Sequence, residues 1–226
     1  MIDYNRIIDT LYPEAGKLRD ILVIHSRKVA DKALDIIRKN GIQEVDPKFV
    51  EAAAMLHDIG IRRCDAPRIE CHGTSPYLCH GIIGGAMLRD NCQLWGMTPS
   101  EIEPYARVCE RHTGTGLTMR QIEERNLPLP HRDFVPETLE EQIICYADKF
   151  YSKTHLEREK TYAHVLRSLS DFGDDVHEDI HDLGNKVVSL RGLVDLCLDP
   201  AFQGHREIQE NRGVDVLGLL WGIIAV

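Results

Sequence analysis

Residues 52–60 read AAAMLHDIG, an apolar run that ends in the adjacent pair His57 and Asp58 and is closed by Gly60. An unpaired imidazole or carboxylate in such surroundings is expensive to desolvate. A bound metal ion removes that cost, because histidine nitrogen and aspartate oxygen are ligands that divalent transition metals accept. The stretch therefore predicts a pair of metal ligands at the end of a core helix.

Further residues of these two types lie in apolar settings elsewhere in the chain. They are His25, His80 in CHGIIGG, His112 in ARVCERHTG and Asp148 in IICYADKF. A single core histidine is more often bonded to a carbonyl group than to a metal. Each of these residues, however, falls on the inward stripe or at the end of a separate predicted helix, so together they predict one metal centre between helices.

Helical periodicity recurs along the chain and strand patterns are nearly absent, which predicts an all-α fold. Asp46-Pro47 and the capping box Thr98–Glu101 mark the starts of two helices. The predicted helices cover about 14–39, 46–60, 80–91, 98–114, a short segment near 118 and 137–152, with a weaker pattern over 161–200.

The chain has 226 residues, which is long enough to bury a large core without structural metals, so we expect a metal to serve chemistry. We predict one domain over residues 1–172, with its core motifs at 20–155, and a helical extension over 173–226. The segment GLLWGIIAV, residues 218–226, is about half as long as a membrane span. We interpret it as a docking segment or a homodimer contact.

The net charge and the cysteine pattern indicate which partners and which cellular compartment to expect. The chain carries 27 basic and 36 acidic residues, a net charge of −9, which disfavours a nucleic acid polymer as partner. Its 7 cysteines form no CxxC pair, which is typical of a reducing cytosol. Charged residues interrupt the N-terminal region, so no signal peptide is expected. These features predict a cytoplasmic protein without a membrane partner.

Four motifs of the chain resemble those of a known family. HDIG at 57–60, HGIIGGAML from His80, RHTGTGLT from Arg111 and YADK at 146–149 resemble the HD-domain superfamily of metal-dependent phosphohydrolases, most closely its small stand-alone HDIG proteins. The resemblance covers about residues 20–155 and implies a helical bundle. It also implies two ligand sets that share Asp58: His25, His57, Asp58 and Asp148 for one metal ion, and Asp58, His80 and His112 for a second.

The resemblance implies a reaction as well. Two metal ions about 3.5–4 Å apart lower the pKa of a bridging water and offset the charge on a phosphoryl group. The expected activity is hydrolysis of a phosphoester or phosphoanhydride bond in a small phosphorylated metabolite or nucleotide, with a metal-bound hydroxide as nucleophile and Asp58 as the catalytic residue. Iron is the first choice of metal, with manganese, cobalt and zinc as alternatives.

Two other functions use the same ligands. One is an oxygenase of the myo-inositol oxygenase type, which activates O₂ at a diiron centre. The other is a metal-bearing ligand sensor without catalysis. Residues 177–181 read HEDIH and match the HExxH zinc motif, but acidic residues surround them, which favours a solvated face over a protease site.

The chain departs from its relatives at one position. Many of them carry a substrate-binding lysine three residues after the HD aspartate, where this chain has Ile61. We predict that Arg62, rather than its neighbour Arg63, takes over this contact. Lys149 and Lys153 are further candidates for binding an anionic substrate.

Overall fold

The computed structural model describes residues 2–170 and Gly184, and helices predominate in this part of the chain. Two short antiparallel hairpins pair residues 65–66 with 71–72 and residues 151–152 with 155–159. The predicted all-α class is confirmed. The helices are α1 (Tyr4–Leu11), α2 (Lys17–Asn40), α3 (Pro47–Leu56), α4 (His80–Asn91), α5 (Pro99–Arg111), α6 (Met119–Glu124), α7 (Leu139–Asp148) and α8 (Tyr162–Ser170), and the strands are β1 (Asp65–Ala66), β2 (Cys71–His72), β3 (Tyr151–Ser152) and β4 (His155–Glu159).

Local capping interactions set several helix ends. The Asp46 side chain accepts a hydrogen bond from the Lys48 amide at the start of α3. Thr98 and Glu101 form the predicted reciprocal capping box at the start of α5. Helix α2 is capped by Gly41, whose φ of 64° lies in the left-handed region that glycine adopts without strain.

Glycines at two contacts bring the site-bearing segments together. A Cβ added to Gly60 would overlap the His80 carbonyl and the Gly84 amide, so the turn after the HD pair lies directly against the first turn of α4. A Cβ added to Gly81 would similarly overlap the Cys109 carbonyl of α5. These close backbone approaches bring His80 near Asp58 on one side and near the end of α5 on the other.

The structure shortens one predicted helix and shows another that was not predicted. The helix predicted over 137–152 ends at Asp148, because Tyr151 and Ser152 pair with β4 instead. Helix α1 was not predicted at all, although its N-cap Asp3 accepts a hydrogen bond from the Arg6 amide.

Several sequence predictions fall beyond the described residues. The helical pattern over 161–200 is described only for α8 and Gly184. The predicted domain boundary at 172/173, the HEDIH motif and the segment 218–226 lie outside the described residues.

In the described part of the chain, no helix is both long enough and apolar enough to cross a membrane. The cysteines described there are all buried free thiols: Cys64, Cys71, Cys79, Cys92, Cys109 and Cys145.

Candidate metal centre

The predicted ligand residues converge at the ends of four helices around the middle of α2. The side chains of the four histidines and of Asp58 are buried, and that of Asp148 is 12% exposed. The residues are His25 within α2, His57 and Asp58 directly after α3, His80 as the first residue of α4, His112 directly after α5, and Asp148 as the last residue of α7. All six residues that the sequence singled out therefore lie in one cluster.

Asp58 lies between two pairs of histidines. Its Oδ2 atom is 3.1 Å from His25 Nε2 and 3.0 Å from His57 Nε2. Its Oδ1 atom is 3.4 Å from His80 Nε2 and 3.4 Å from His112 Nε2. Each carboxylate oxygen thus faces a different pair, as a bridging ligand would.

Asp148 completes the first of two ligand sets. Its Oδ1 atom is 3.0 Å from His25 Nε2 and 3.5 Å from His57 Nε2. The first set consists of His25, His57, Asp58 and Asp148, and its candidate ligand atoms all lie within 4.8 Å of one another. The same limit holds for the second set, which consists of Asp58, His80 and His112. Both groupings have the composition that the sequence resemblance implied.

The local chain fixes the orientation of three of the histidine rings. Each places its Nδ1 atom against the carbonyl oxygen three residues earlier: His57 to Ala54 at 2.6 Å, His80 to Tyr77 at 2.7 Å and His112 to Cys109 at 2.7 Å. A carbonyl oxygen only accepts, so Nδ1 must donate and a neutral ring presents its Nε2 lone pair to the cluster. Carbonyl-bound histidines of this kind are the usual ligands of protein metal sites.

The cluster holds buried polar atoms that the protein does not satisfy. His57 Nε2, His25 Nδ1 and both oxygens of Asp58 have no well-aligned hydrogen bond. Burying a carboxylate is costly unless it is both paired and hydrogen-bonded, and the Lys153 ammonium at 2.6 Å from Asp58 Oδ2 supplies the pairing alone. A cation between the Nε2 atoms and the carboxylates would satisfy His57 Nε2 and the Asp58 oxygens, and the nitrogen and oxygen donors suit a divalent transition metal. The residues present therefore fit a metal centre.

Two lysines lie at the edge of the cluster. Lys149 Nζ donates to the His112 carbonyl oxygen at 3.0 Å and to Asp148 Oδ2 at 2.8 Å. Lys153 comes from the turn between β3 and β4 and places its Nζ atom 2.6 Å from Asp58 Oδ2. Their side chains are 9% and 13% exposed, so both ammonium groups are largely removed from water.

Tyr77 borders the second ligand set and was not identified from the sequence. Its ring stacks on His80 with 4.7 Å between centroids, and Lys153 Nζ lies 5.8 Å from the centre of the same ring. Burial raises the pKa of the Tyr77 hydroxyl to about 12, although the nearby Lys153 charge opposes the change. Tyr77 lies three residues before His80, but this spacing carries no recognisable signal.

The charges and the burial around the cluster shift the pKa values of its histidines in different directions. Burial and the neighbouring His112 lower the pKa of His80 to about 3. Burial also lowers the pKa of His57, but the charges of Asp58 and Asp148 and the hydrogen bonds to them together outweigh burial and raise the value to about 9. Burial raises the pKa of Asp58, yet the positive charges of His57 and Lys153 hold that pKa well below its usual range. Asp58 is therefore an anion, and the positive charges of His57 and Lys153 both lie at its Oδ2 atom.

Arg62 packs against Tyr12. Its guanidinium carbon is 5.0 Å from the centre of the Tyr12 ring, and its side chain is exposed. The Tyr12 hydroxyl donates to the Ile59 carbonyl at 2.8 Å and accepts from the Arg62 amide at 3.2 Å. Tyr12 thus holds the turn that follows the HD pair, a role that the sequence did not indicate. The predicted substrate contact of Arg62 stays a prediction.

Known proteins resemble this chain in sequence. An uncharacterized protein of Methanocaldococcus jannaschii is 35% identical over 129 residues, which are 56% of this chain and 64% of that protein. The tRNA (cytidine(56)-2'-O)-methyltransferase of Picrophilus torridus is 33% identical over 76% of this chain and 40% of its own length. The corresponding methyltransferase of Thermoplasma volcanium is 30% identical over 66% and 37%. The chain thus spans less than two thirds of each of these relatives.

Solved structures show a more distant similarity. The HD domain of the phosphodiesterase PgpH from L. monocytogenes matches 84% of this chain and 98% of its own chain, with 17% identity and a TM-score of 0.45. The same domain in complex with cyclic-di-AMP matches 80% of this chain and 99% of its own, with 18% identity and a TM-score of 0.42.

The family follows from the chain's own sequence. Residues 22–152, more than half of the chain, match the HD domain family. This range includes all six residues of the metal cluster, from His25 to Asp148. The protein therefore belongs to the HD-domain family.

Proposed function

We propose that this HD domain is a metal-dependent phosphohydrolase that cleaves a phosphoester or phosphoanhydride bond in a small phosphorylated metabolite or nucleotide. The observation that carries the proposal is the position of Asp58, whose two oxygens face two separate pairs of histidine Nε2 atoms. This arrangement suits two adjacent divalent ions that share one carboxylate. When bound, such ions activate water as a nucleophile and offset negative charge on a transferring phosphoryl group.

The charge of the site supports an anionic substrate. The carboxylates of Asp58 and Asp148 are matched by the ammonium groups of Lys149 and Lys153, which lie 2.6–2.8 Å from them. With all ligand histidines neutral, as metal binding requires, these protein charges cancel and the charge of any bound divalent ion remains to attract an anion. A phosphate group carries the negative charge that such a site favours.

The residues of the chain prepare the site before substrate binds. Hydrogen bonds from Nδ1 to backbone carbonyls hold three histidine rings in one orientation, with Nε2 directed at the cluster. Groups positioned in this way need little reorganisation during the reaction. Lys153 is the proposed phosphate contact, because its ammonium group reaches the oxygen of Asp58 that faces His25 and His57.

The donor set also guides the choice of metal. Four imidazoles and two carboxylates fit iron, manganese, cobalt or zinc, and we propose two divalent ions with iron as the first choice. The net charge of −9 supports a small substrate over a nucleic acid polymer. The buried free cysteines support a reducing compartment, which we propose to be the cytoplasm.

The experiment compares the wild-type protein with Asp58→Ala for metal content and for turnover of a panel of phosphate monoesters, phosphodiesters and nucleotides. We expect the variant to lose most bound metal and all hydrolysis, because Asp58 serves both ligand sets. Asp35→Ala is the matched control, since Asp35 pairs with Lys39 Nζ at 2.7 Å on the surface of α2. Full metal retention by Asp58→Ala would disprove the shared-ligand arrangement.

The same assay under nitrogen separates hydrolysis from oxygenation. A phosphohydrolase needs only water, so turnover should persist without O₂. Loss of all turnover under nitrogen would instead identify an oxygenase, and no turnover of any panel compound by metal-loaded protein would favour a ligand sensor.

A further inference from the structure

The contacts of Lys149 are not those expected of a residue that only binds substrate. It directly follows Asp148, and its Nζ atom lies 2.8 Å from Asp148 Oδ2 and 3.0 Å from the His112 carbonyl oxygen. Its side chain is only 9% exposed. The ammonium group therefore already has two protein acceptors and little access to solvent.

Each acceptor belongs to a different ligand set. Asp148 Oδ1 faces His25 Nε2 at 3.0 Å, while Lys149 holds the other oxygen of the same carboxylate. Lys149 thus determines which oxygen of Asp148 faces the first set. His112 belongs to the second set, with its Nε2 atom 3.4 Å from Asp58 Oδ1.

The His112 carbonyl is a suitable anchor for a cation. His112 is the C-cap of α5, where a helix leaves carbonyl groups without intrahelical partners and carries partial negative charge. The Cys145 thiol of α7 also approaches this carbonyl, at 3.5 Å. Cys145 in α7 and Lys149 just after it therefore both contact the end of α5, at the backbone of the ligand His112.

We propose that Lys149 is a positioning residue that couples the two metal-ligand sets by holding Asp148 and the backbone of His112 with one ammonium group. The inference rests on the proposed metal centre. The inference gives Lys149 a different role from Lys153, whose Nζ atom contacts Asp58 and the face of Tyr77. Both lysines contact a ligand carboxylate, but Lys149 also holds the backbone of His112 in the second set. Lys153 is therefore the lysine that we assign to substrate.

The test measures metal affinity as well as activity. Mn²⁺ is titrated into the chelator-treated protein, and the concentration of free Mn²⁺ is measured by electron paramagnetic resonance. We expect Lys149→Met to weaken Mn²⁺ binding about 10- to 100-fold, the usual effect of removing a residue that orients metal ligands. On any substrate that turns over, kcat should fall while KM changes little, because the variant disturbs the ligands and leaves the substrate contact in place.

Two further variants sharpen the comparison. Lys32→Met makes the same chemical change nearby, at a lysine that pairs with Glu159 and lies 4.5 Å from the centre of the Phe150 ring, and should bind Mn²⁺ like the wild type. Lys149→Gln keeps a donor for one of the two acceptors and should give an intermediate affinity. If Lys149→Met fails to fold by circular dichroism, Lys149→Gln decides the question.

Unchanged Mn²⁺ affinity in the folded variants would overturn the positioning role. A raised KM with unchanged kcat would also overturn it and would return Lys149 to the substrate contact that the sequence predicts. Failure of the wild-type protein to bind Mn²⁺, iron, cobalt or zinc is a different result, because it would refute the proposed metal centre itself.

Discussion

The Nε2 atoms of His80 and His112 lie 3.0 Å apart, while the Nδ1 atom of each ring lies 2.7 Å from a backbone carbonyl oxygen. In neutral rings held this way, both Nε2 atoms carry lone pairs, and two lone pairs repel each other at this distance. A cation between the two nitrogens removes the repulsion. Asp58 Oδ1 lies 3.4 Å from each of these nitrogens and supplies the negative charge beside them.

This relationship predicts how metal content divides between the two sets. His80→Ala and His112→Ala should each halve the metal per chain, because each removes a ligand of the second set. His25→Ala should disturb the other ion. The measurement is elemental analysis of protein purified with metal present. A wild-type protein that never exceeds one equivalent would establish a mononuclear site and refute the division.

The close approach at Gly60 predicts a stability effect next to the site. Gly60→Ala should destabilise the fold by about 1–3 kcal/mol or more, because a Cβ there would overlap the backbone of His80 and Gly84 and neither can move freely. Gly84→Ala is the graded control, since its Cβ would lie 3.2 Å from Gly60 N and 3.3 Å from Ile59 Cγ2. Urea unfolding measures both. Equal stability of Gly60→Ala and wild type would show that the two segments separate readily.

Much of this arrangement was predictable because it rests on local rules. The capping box of Thr98 and the N-cap of Asp46 are written in adjacent residues, and both form as predicted. The ligand residues were predictable because buried ionisable side chains need partners. The overextension of α7 to Ser152 has a different cause: Tyr151 and Ser152 pair with β4, a tertiary preference that helical periodicity does not reveal.

The lysine contacts were not predictable for a related reason. Lys149 and Lys153 read alike in the sequence, as cations just after Asp148. The hairpin turn directs Lys153 to Asp58, which is far away in the sequence, whereas Lys149 binds at the end of α5. Only the packing of these elements distinguishes the two residues.

The pKa of His80 predicts acid sensitivity of the metal-free protein. Burial and His112 lower this pKa from 6.5 to about 3, so between these values an unfolded chain binds a proton here and the folded chain does not. Stability contributed by neutral His80 is therefore complete above pH 6.5 and is lost as pH falls toward 3, by up to about 1.4 kcal/mol per pH unit.

Urea unfolding of chelator-treated protein at pH 7 and pH 5 measures this loss. The His80→Gln variant should lose less stability on acidification than the wild type. His131→Gln changes an exposed histidine, with a side chain 69% exposed, and should keep the wild-type pH dependence. An identical pH dependence in His80→Gln would show that His80 is not held neutral in the fold.

The final prediction compares the cations proposed to bind substrate. Lys153 Nζ lies 2.6 Å from Asp58 Oδ2, whereas the Arg62 guanidinium packs over Tyr12. A charge-assisted hydrogen bond to phosphate contributes roughly 1.5–3 kcal/mol. Lys153→Met should therefore lower kcat/KM about 10- to 100-fold, chiefly through KM, on whichever phosphorylated substrate turns over.

Arg62→Ala and Arg63→Ala complete the comparison, because adjacent residues of the short helical turn point in different directions and only one side chain would reach a given phosphate. We expect Arg63→Ala to match the wild type and Arg62→Ala to have a smaller effect than Lys153→Met. Metal content is measured in each variant, since Lys153 contacts a metal-ligand residue. A large loss of activity in Arg62→Ala, with wild-type activity in Lys153→Met, would identify Arg62 as the replacement for the lysine that is missing at Ile61. Wild-type activity in all three variants would show that other residues bind the anion.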